Sequence, residues 1–317
     1  MREFALIDRL KTRLASRRTD TRLGIGDDAA LIAPAAGEEL AITTDTLIAG
    51  RHFPSDTPAF DIGYKAIAVN LSDLAAMGAD PAWVTLALAA PELEEAWCDG
   101  FLDGACAAMG DGPIDIIGGD TTRGDLSITV TAIGRLPAGG ALRRSRAQPG
   151  DVIAVTGTLG DAAHGLHCWK ERAKANADET FCIERLARPR WRNGAALRAF
   201  AHAAIDISDG LVADLGHVLA ASGVGARVDV DALPVSQALE GCVDAAQMRA
   251  CQLGGGDDYE LCVTLAPADM ARAQAALDCP LTVIGQVEAE AGLRLVDAAG
   301  RPFAWAGAAG WDHFPDA

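Results

Sequence analysis

Aspartates at the ends of predicted strands, beside glycine, in loops or in first helical turns form the pattern in this sequence with the means to do chemistry. It recurs at Asp27-Asp28 within Gly24-Ile-Gly-Asp-Asp-Ala29, at Asp45, Asp73 and Asp120, at Asp206 with Asp209, and at Asp257-Asp258. Glycine lets backbone approach a ligand closely, and carboxylates on several loops can converge on one cation cluster. Mg²⁺ typically takes a few such carboxylates together with substrate phosphates. Each aspartate alone also has a plainer reading, because Asp is a common turn and N-cap residue. Asp73 reads equally as a solvated helix position, although it shares a face with Asn70 at i,i+3 spacing. The residues by themselves leave metal binding and turn chemistry level.

Other chemistries find less support. Gly24-x-Gly26-x-x-Ala29 formally matches a dinucleotide fingerprint, but its two aspartates would face the pyrophosphate, so that reading fails. There is no Gly-Lys dipeptide for a phosphate-binding Walker loop, no protein-kinase HRD or DFG signature, and no Gly-x-Ser-x-Gly elbow. The eight cysteines form no CxxC pair, which leaves zinc and redox roles without their spacing and suits reduced small hydrophobes in a cytoplasmic chain. Four lysines stand against 23 arginines. The forked guanidiniums of Arg143-Arg144-Ser-Arg146 suit nucleotide phosphates, and a solvated linker explains them as well. His52 and Trp311 fall outside the periodic segments, where lone residues of their kind most often serve the surface or packing.

These residues need strands and helices to hold them. Glu39–Thr43 reads as a strand entering a loop at Thr44-Asp45-Thr46, and Asp61–Met77 as a helix ended by Gly78 and Pro81. Trp83–Leu88 is a strand, residues 93–109 a helix, Ile114–Ile117 a strand running into a Gly118-Gly119-Asp120 loop, and Leu126–Ile133 a half-buried strand. The Gly-, Pro- and Arg-rich stretch 137–150 marks a boundary. Beyond it come strands at 151–155, 205–207, 226–230, 261–265 and 282–287, helices from Asp161, at 210–221 and at 267–277, and an Arg-rich helical insertion over 168–200.

At 317 residues the chain suggests two domains, and strands alternating with helices in both halves indicate α/β or mixed α+β architecture. A net charge of −17 argues against nucleic acid, which calls for a basic footprint. The longest uncharged run in the first hundred residues, Pro81–Pro91, falls short of the roughly 20 residues that span a bilayer. The charged first twenty residues leave no apolar signal core, so the expectation is a cytoplasmic protein without membrane contact.

Assembled, these segments resemble the thiamine-monophosphate kinase family, within the superfamily of aminoimidazole-ribonucleotide synthetase and selenophosphate synthetase. The matching stretches are Leu23–Ala29, Thr43–Leu47, Gly50-Arg-His-Phe53, Lys65–Pro81, Gly118-Gly-Asp-Thr-Thr-Arg123, Gly150-Asp151, Val155-Thr-Gly157, Ile205-Asp-Ile-Ser-Asp-Gly-Leu211 and Asp257-Asp-Tyr-Glu-Leu261, in family order over nearly the whole chain.

The resemblance implies a two-domain aminoimidazole-ribonucleotide-synthetase-like fold. Residues 1–137 would bind Mg·ATP and pair their sheets in a homodimer, and 148–317 would form an α/β domain whose tail contacts substrate, with the active site between the domains. It implies ATP-dependent phosphorylation of thiamine monophosphate to thiamine diphosphate, the last step in making that compound. Asp28, Thr43, Thr44, Asp45, Asp73, Asp120, Asp206 and Asp209 would hold several Mg²⁺ ions, with Asp45, Asp120 and Asp209 at the catalytic centre. Gly119, Asp120, Arg144 and Ser208 would contact the nucleotide. His52, Asp257 and Trp311 would contact the substrate. The segment Arg188-Pro-Arg-Trp-Arg192 departs from the family pattern and receives no role.

Such chemistry agrees with the charge arithmetic. The acceptor is already an oxyanion, so no strong general base is required. What is required is relief of repulsion between two polyanions, about 4 kcal/mol for two unit charges about 4 Å apart at an effective dielectric near 20. Mg²⁺ ions held by aspartates reverse the local sign, which lets an acidic protein use anionic substrates.

Overall fold

The computed structural model describes residues 16–307 and 310. By internal packing the chain divides into two units, one running to Leu74 and resuming over Ala79–Gly140, the other comprising Ala75–Gly78 and Ala141 onward.

In chain order the first unit contains β1 (Thr21–Leu23), β2 (Leu31–Ile32), β3 (Glu38–Ile48), α1 (Ala59–Ala76, whose last two residues fall in the second unit), β4 (Asp80–Ala90), α2 (Glu95–Met109), β5 (Asp115–Arg123) and β6 (Ser127–Pro137). Four strands form a sheet in the order β3-β6-β4-β5, antiparallel except for the β4–β5 pair. A parallel pair needs a crossover, and α2 supplies it. Alternation along β6 buries Ile128, Val130, Ala132, Gly134 and Leu136 on one face. Leu74 of α1 lies against Gly134 there. α1 is enclosed on nearly every side, with Ile62, Ala66, Ile67, Val69, Leu71 and Leu74 buried together with the polar Lys65, Asn70 and Ser72. It meets α2 through two glycines, because a Cβ on Gly63 would strike the Phe101 carbonyl and one on Gly104 the Phe60 carbonyl.

The other face of this sheet is a row of exposed β-branched residues. Ile42 and Ile48 are 64% and 41% exposed. Between them Thr44 shares a hydroxyl hydrogen bond with Thr131, and Thr46 with Thr129, each 2.8 Å. The register sets Ile42 opposite Ile133.

The second unit contains β7 (Val152–Thr156), α3 (Asp161–Cys168), α4 (Ala177–Ala187), β8 (Ala201–Ile207), α5 (Leu211–Ser222), β9 (Gly225–Asp229), α6 (Gln237–Cys242), α7 (Ala245–Gly254), β10 (Glu260–Leu265), α8 (Met270–Ala275), β11 (Leu281–Glu288) and β12 (Gly292–Val296). Its six-stranded sheet runs β12-β9-β11-β7-β10-β8, antiparallel except for β12–β9. Both faces are covered. Ile153 and Val155 join the core around Leu211, Leu215 and Val218 of α5, while Ala154 between them joins Leu197, Val263 and Ala273. That division accounts for strands that read as continuous apolar runs.

Among the strands that run beyond their expected ranges, two matter for the site. β3 continues through Asp45 to Ile48, and β5 continues through Gly118-Gly119-Asp120 to Arg123. Turn-forming residues there are overridden by full ladders, β3 with β6 and β5 with β4. Asp45 and Asp120 therefore stand on strands rather than on the loops expected for them. The insertion over 168–200 holds α4 between short 3₁₀ turns, and β12, α6 and α7 had no counterpart in the sequence reading.

Candidate active site

The first group of carboxylates gathers where the edge strand β3 meets α1. Thr43 and Asp45 share the half-buried face of β3. The Thr43 hydroxyl donates to Asp73 Oδ2 at 2.5 Å. An edge strand leaves alternate backbone N–H groups without a ladder partner, and the one at Asp45 donates to Asn70 Oδ1 at 3.1 Å. Asn70 is itself fixed, its amide donating to the Ala66 carbonyl at 3.0 Å. The i,i+3 pair Asn70 and Asp73 thus docks α1 onto the strand and places two carboxylates and a hydroxyl in one corner. Thr44 is not part of it, because its hydroxyl lies on the opposite face with Thr131.

Asp120 is not part of it either. β3 and β5 are the two edges of the sheet, with β6 and β4 between them. Three interstrand spacings separate them, about 14 Å at roughly 4.8 Å each. The register places Asp45, Val130, Leu86 and Gly119 in one row, and Asp120 in the next row with Ala87, Thr129 and Thr46. Asp120 therefore shares the Thr46–Thr129 face, not the Asp45 face. Gly119 beside it has φ 158°, near extended, and a Cβ there would strike the Leu86 carbonyl. Asp28 is exposed on the turn between β1 and β2, its N–H donating to Asp27 Oδ1 at 2.9 Å. His52 folds back on the end of β3, where the Ile48 N–H donates to its Nδ1 at 3.0 Å. A neutral ring with Nδ1 accepting carries its proton on Nε2.

The second group gathers in the second unit, where two loops are laced together. β8 delivers Asp206, then Ser208-Asp209-Gly210 lead into α5. Asp214 Oδ2, one turn into α5, accepts the backbone N–H groups of Ser208, Asp209 and Gly210, each at 3.1 Å. Burial pushes the Asp214 carboxyl up to about 6 even though those three donors pull it down. Against this loop lies Gly254–Tyr259. The Asp257 N–H donates to the Ser208 carbonyl and the Tyr259 N–H to the Ile207 carbonyl, both at 2.8 Å. Asp257 and Tyr259 are left-handed, with φ 69° and 51°. L-residues hold that conformation at a cost of about 1–2 kcal/mol each, so the surroundings must impose it.

The residues beneath that loop were not assigned from sequence. Asp258 is buried and accepts the Gly160 N–H on both oxygens, at 3.0 and 2.8 Å. Burial pushes its carboxyl well above the usual range, against the pull of Gly160 and Arg185. Glu260, also buried, meets Thr156, Arg185 and Arg192. Asp161 accepts the hydroxyls of Thr158 and Ser236 at 2.6 and 2.5 Å. The signal available in the sequence was alternation, since in Asp257-Asp-Tyr-Glu260 the second and fourth residues point inward.

Arg144 lies away from Ser208. Its turn is pinned to the far end of α5, where the Ser222 hydroxyl donates to the Arg144 carbonyl at 2.8 Å. Twelve helical residues, about 18 Å at 1.5 Å each, lie between. Trp311 falls outside the described residues. Gly310 before it sits where a Cβ would press on Ala213 and the Asp209 carbonyl. The eight thiols are free, and burial holds Cys251 up at about 11 and Cys262 at about 12, which leaves neither poised as a nucleophile.

Among the described residues no three Asp, Glu, His or Cys side chains lie close enough together to hold a metal ion. The expected ligands divide instead between the units, Asp28, Thr43, Asp45, Asp73 and Asp120 in the first, Asp206 and Asp209 in the second. Their donors are all hard oxygens, and the Thr43–Asp73–Asn70 corner orients its carboxylates in advance, which fits Mg²⁺ rather than a softer metal.

Comparison with known proteins gives this arrangement its class. Residues 26–136 match the AIR synthase related protein N-terminal domain, and residues 148–298 the corresponding C-terminal domain. The chain is thus a two-domain protein of the AIR synthase-related class. It is 50% identical to thiamine-monophosphate kinase of Salmonella typhimurium over 321 residues, covering 98% of each chain. It superimposes on the crystal structure of thiamine-monophosphate kinase from Stenotrophomonas maltophilia K279a with TM-score 0.87 and 52% identity, covering 96% of this chain and 98% of that one. With AaThiL complexed with AMPPCP and TMP the TM-score is 0.79 and the identity 31%, over 99% of both chains. The chain belongs to the thiamine-monophosphate kinase family.

The Asp258 carboxyl yields a prediction with a definite sign. Its folded pKa lies above the unfolded value of about 3.9. The stability tied to its proton is therefore complete below that value and is lost as pH rises toward the folded pKa. Asp258→Asn removes this loss. Thermal unfolding should show the variant gaining on the wild type between pH 5 and pH 8, and a gap that stays constant over that range would contradict the assignment.

Proposed function

We propose that this chain transfers the γ-phosphoryl group of ATP to the phosphate of thiamine monophosphate, giving thiamine diphosphate and ADP. The observation that carries the reading is the match over 99% of both chains to a structure complexed with AMPPCP, a nucleotide analogue, and TMP. An acceptor phosphate oxygen attacks the γ-phosphorus, the bond to the β,γ-bridging oxygen breaks, and the electron pair leaves on ADP. The acceptor oxygen is already anionic, so no residue need remove a proton. That agrees with a site whose described acids are carboxylates held by hydroxyls and backbone N–H groups.

The chain's own residues position and compensate. Asn70 and Thr43 fix Asp45 and Asp73 at the β3 edge, and Asp214 fixes the Ser208–Asp209 turn. Asp28, Thr43, Asp45, Asp73, Asp120, Asp206 and Asp209 would hold Mg²⁺, while the Thr44 hydroxyl, turned to the other face, would not. When bound, Mg²⁺ neutralises phosphate charge and aligns donor and acceptor oxygens. Gly119, Asp120, Arg144 and Ser208 would contact the nucleotide, and His52, through Nε2, with Asp257 and Trp311 the substrate.

The working form in this reading is a homodimer. The exposed Ile42–Thr44–Thr46–Ile48 face has the width and apolar content to pair with its own copy. Asp120 supports it further, since it cannot reach Asp45 within one sheet and lies on the face a partner would cover. Sedimentation at micromolar concentration should return the dimer mass, and a monomer would contradict the pairing. No described helix is long and apolar enough to cross a membrane. In this reading the chain works in the cytoplasm on small molecules, and its net charge of −17 argues against nucleic acid.

Chromatography of reactions containing Mg·ATP tests the activity. Thiamine diphosphate should form from thiamine monophosphate, not from free thiamine, and chelation should abolish it. Folded protein giving no product with ample Mg²⁺ would overturn the reading and turn attention to other acceptors, such as amides.

A further inference from the structure

The Arg-rich insertion takes no part in the phosphoryl chemistry above, yet two of its guanidiniums, buried Arg185 and half-buried Arg192, converge on one carboxylate. Glu260 has no exposed surface. Its Oε1 receives Arg185 Nη2 at 2.9 Å and also Arg192 Nη2, while its Oε2 receives Arg192 Nε at 2.6 Å and the Thr156 hydroxyl at 2.6 Å. Arg192 thus grips Glu260 with both prongs of a planar fork, a geometry no lysine reproduces. Thr156 Oγ1 accepts in turn the Leu261 N–H at 2.8 Å, tying the clamp into the β7–β10 ladder.

Glu260 is where β10 begins, and the turn of three residues before it is left-handed at Asp257 and Tyr259. Asp258 and Glu260 point inward, and Asp257 and Tyr259 the other way. The turn is held from below at alternate residues, by Gly160 on Asp258 and by the two arginines on Glu260. It is held from the side at Ser208 and Ile207. A conformation that L-residues disfavour persists only when its surroundings over-determine it, and Arg192 makes the most extensive of those contacts.

We propose that Arg192, seconded by Arg185, is a positioning residue for the phosphoryl acceptor: by fixing Glu260 it holds the left-handed Asp257 against the substrate. The proposal rests on the reading of Asp257 as a substrate contact. Arg192 itself touches neither substrate nor nucleotide in this account. The insertion is then the support of the acceptor side of the site.

The test separates geometry from charge. Arg192→Lys keeps the positive charge that Glu260 needs and loses the fork. Its melting temperature should stay close to that of the wild type. Its KM for thiamine monophosphate should rise on the order of tenfold, a fraction of the roughly hundredfold that a 1 Å misplacement costs. Its KM for ATP should stay within about twofold. An unchanged acceptor KM, or acceptor and ATP constants rising together, would overturn the proposal. Should Arg192→Lys not fold, Thr156→Val removes a single donor to Glu260 and is expected to show the same selective rise at smaller size, with the same outcomes against it. Asp257→Asn separates the two readings. A normal acceptor KM in that variant sinks the Asp257 contact itself. A raised one, beside a normal Arg192→Lys, sinks only the positioning role.

Discussion

An excess of negative charge held at close quarters is the constraint on which the rest of this structure depends. With 44 acidic residues against 27 basic ones, the acids outnumber the cations available to them. The fold answers with neutral donors. Asp73 takes a threonine hydroxyl, Asp214 takes three backbone N–H groups, and Asp258 takes one on both oxygens. Guanidinium meets other acids of the chain, and at Glu260 it grips a fully buried carboxylate beneath the site. A neutral hydrogen bond orients a carboxylate without cancelling its charge, so Asp73 would keep a field that attracts Mg²⁺ while its geometry is set in advance.

The same choice explains why β3 is an edge strand. A central strand spends both rows of backbone groups on its neighbours. β3 keeps one row for α1, and Asn70 uses it to fix Asp45. The opposite edge carries Asp120, and the sheet's uncovered face lies between. In the dimeric reading proposed above, assembly and chemistry would be linked, because the face that would pair two copies also bears a residue expected in the site.

What the sequence revealed and what it hid follow from the range of the interactions. Helix α1 was legible from its periodicity, and Asn70 with Asp73 from their spacing, because both are local. The strand ends were not. Thr44-Asp45-Thr46 and Gly118-Gly119-Asp120 carry loop-forming residues, and only pairing with β6 and β4 keeps them extended. The family resemblance placed Thr44 with the metal ligands, and period-two alternation turns its hydroxyl to the other face. Arg144 and Ser208 read as one nucleotide set, and the length of α5 holds them apart. The Arg192–Glu260 clamp joins residues 68 apart in sequence and left no local trace except two buried acids alternating in Asp-Asp-Tyr-Glu. Trp311 lies outside the described residues, so its place rests on the family resemblance alone.

The central claim, offered as a proposal, is that the chain's own carboxylates hold cations beyond any the nucleotide brings with it. It is tested most directly by following turnover at saturating Mg·ATP and thiamine monophosphate while free Mg²⁺ is raised. The account predicts a rate that continues to climb after all ATP is complexed, with a dependence steeper than a single binding ion produces. A rate already maximal when Mg²⁺ just equals ATP would contradict it.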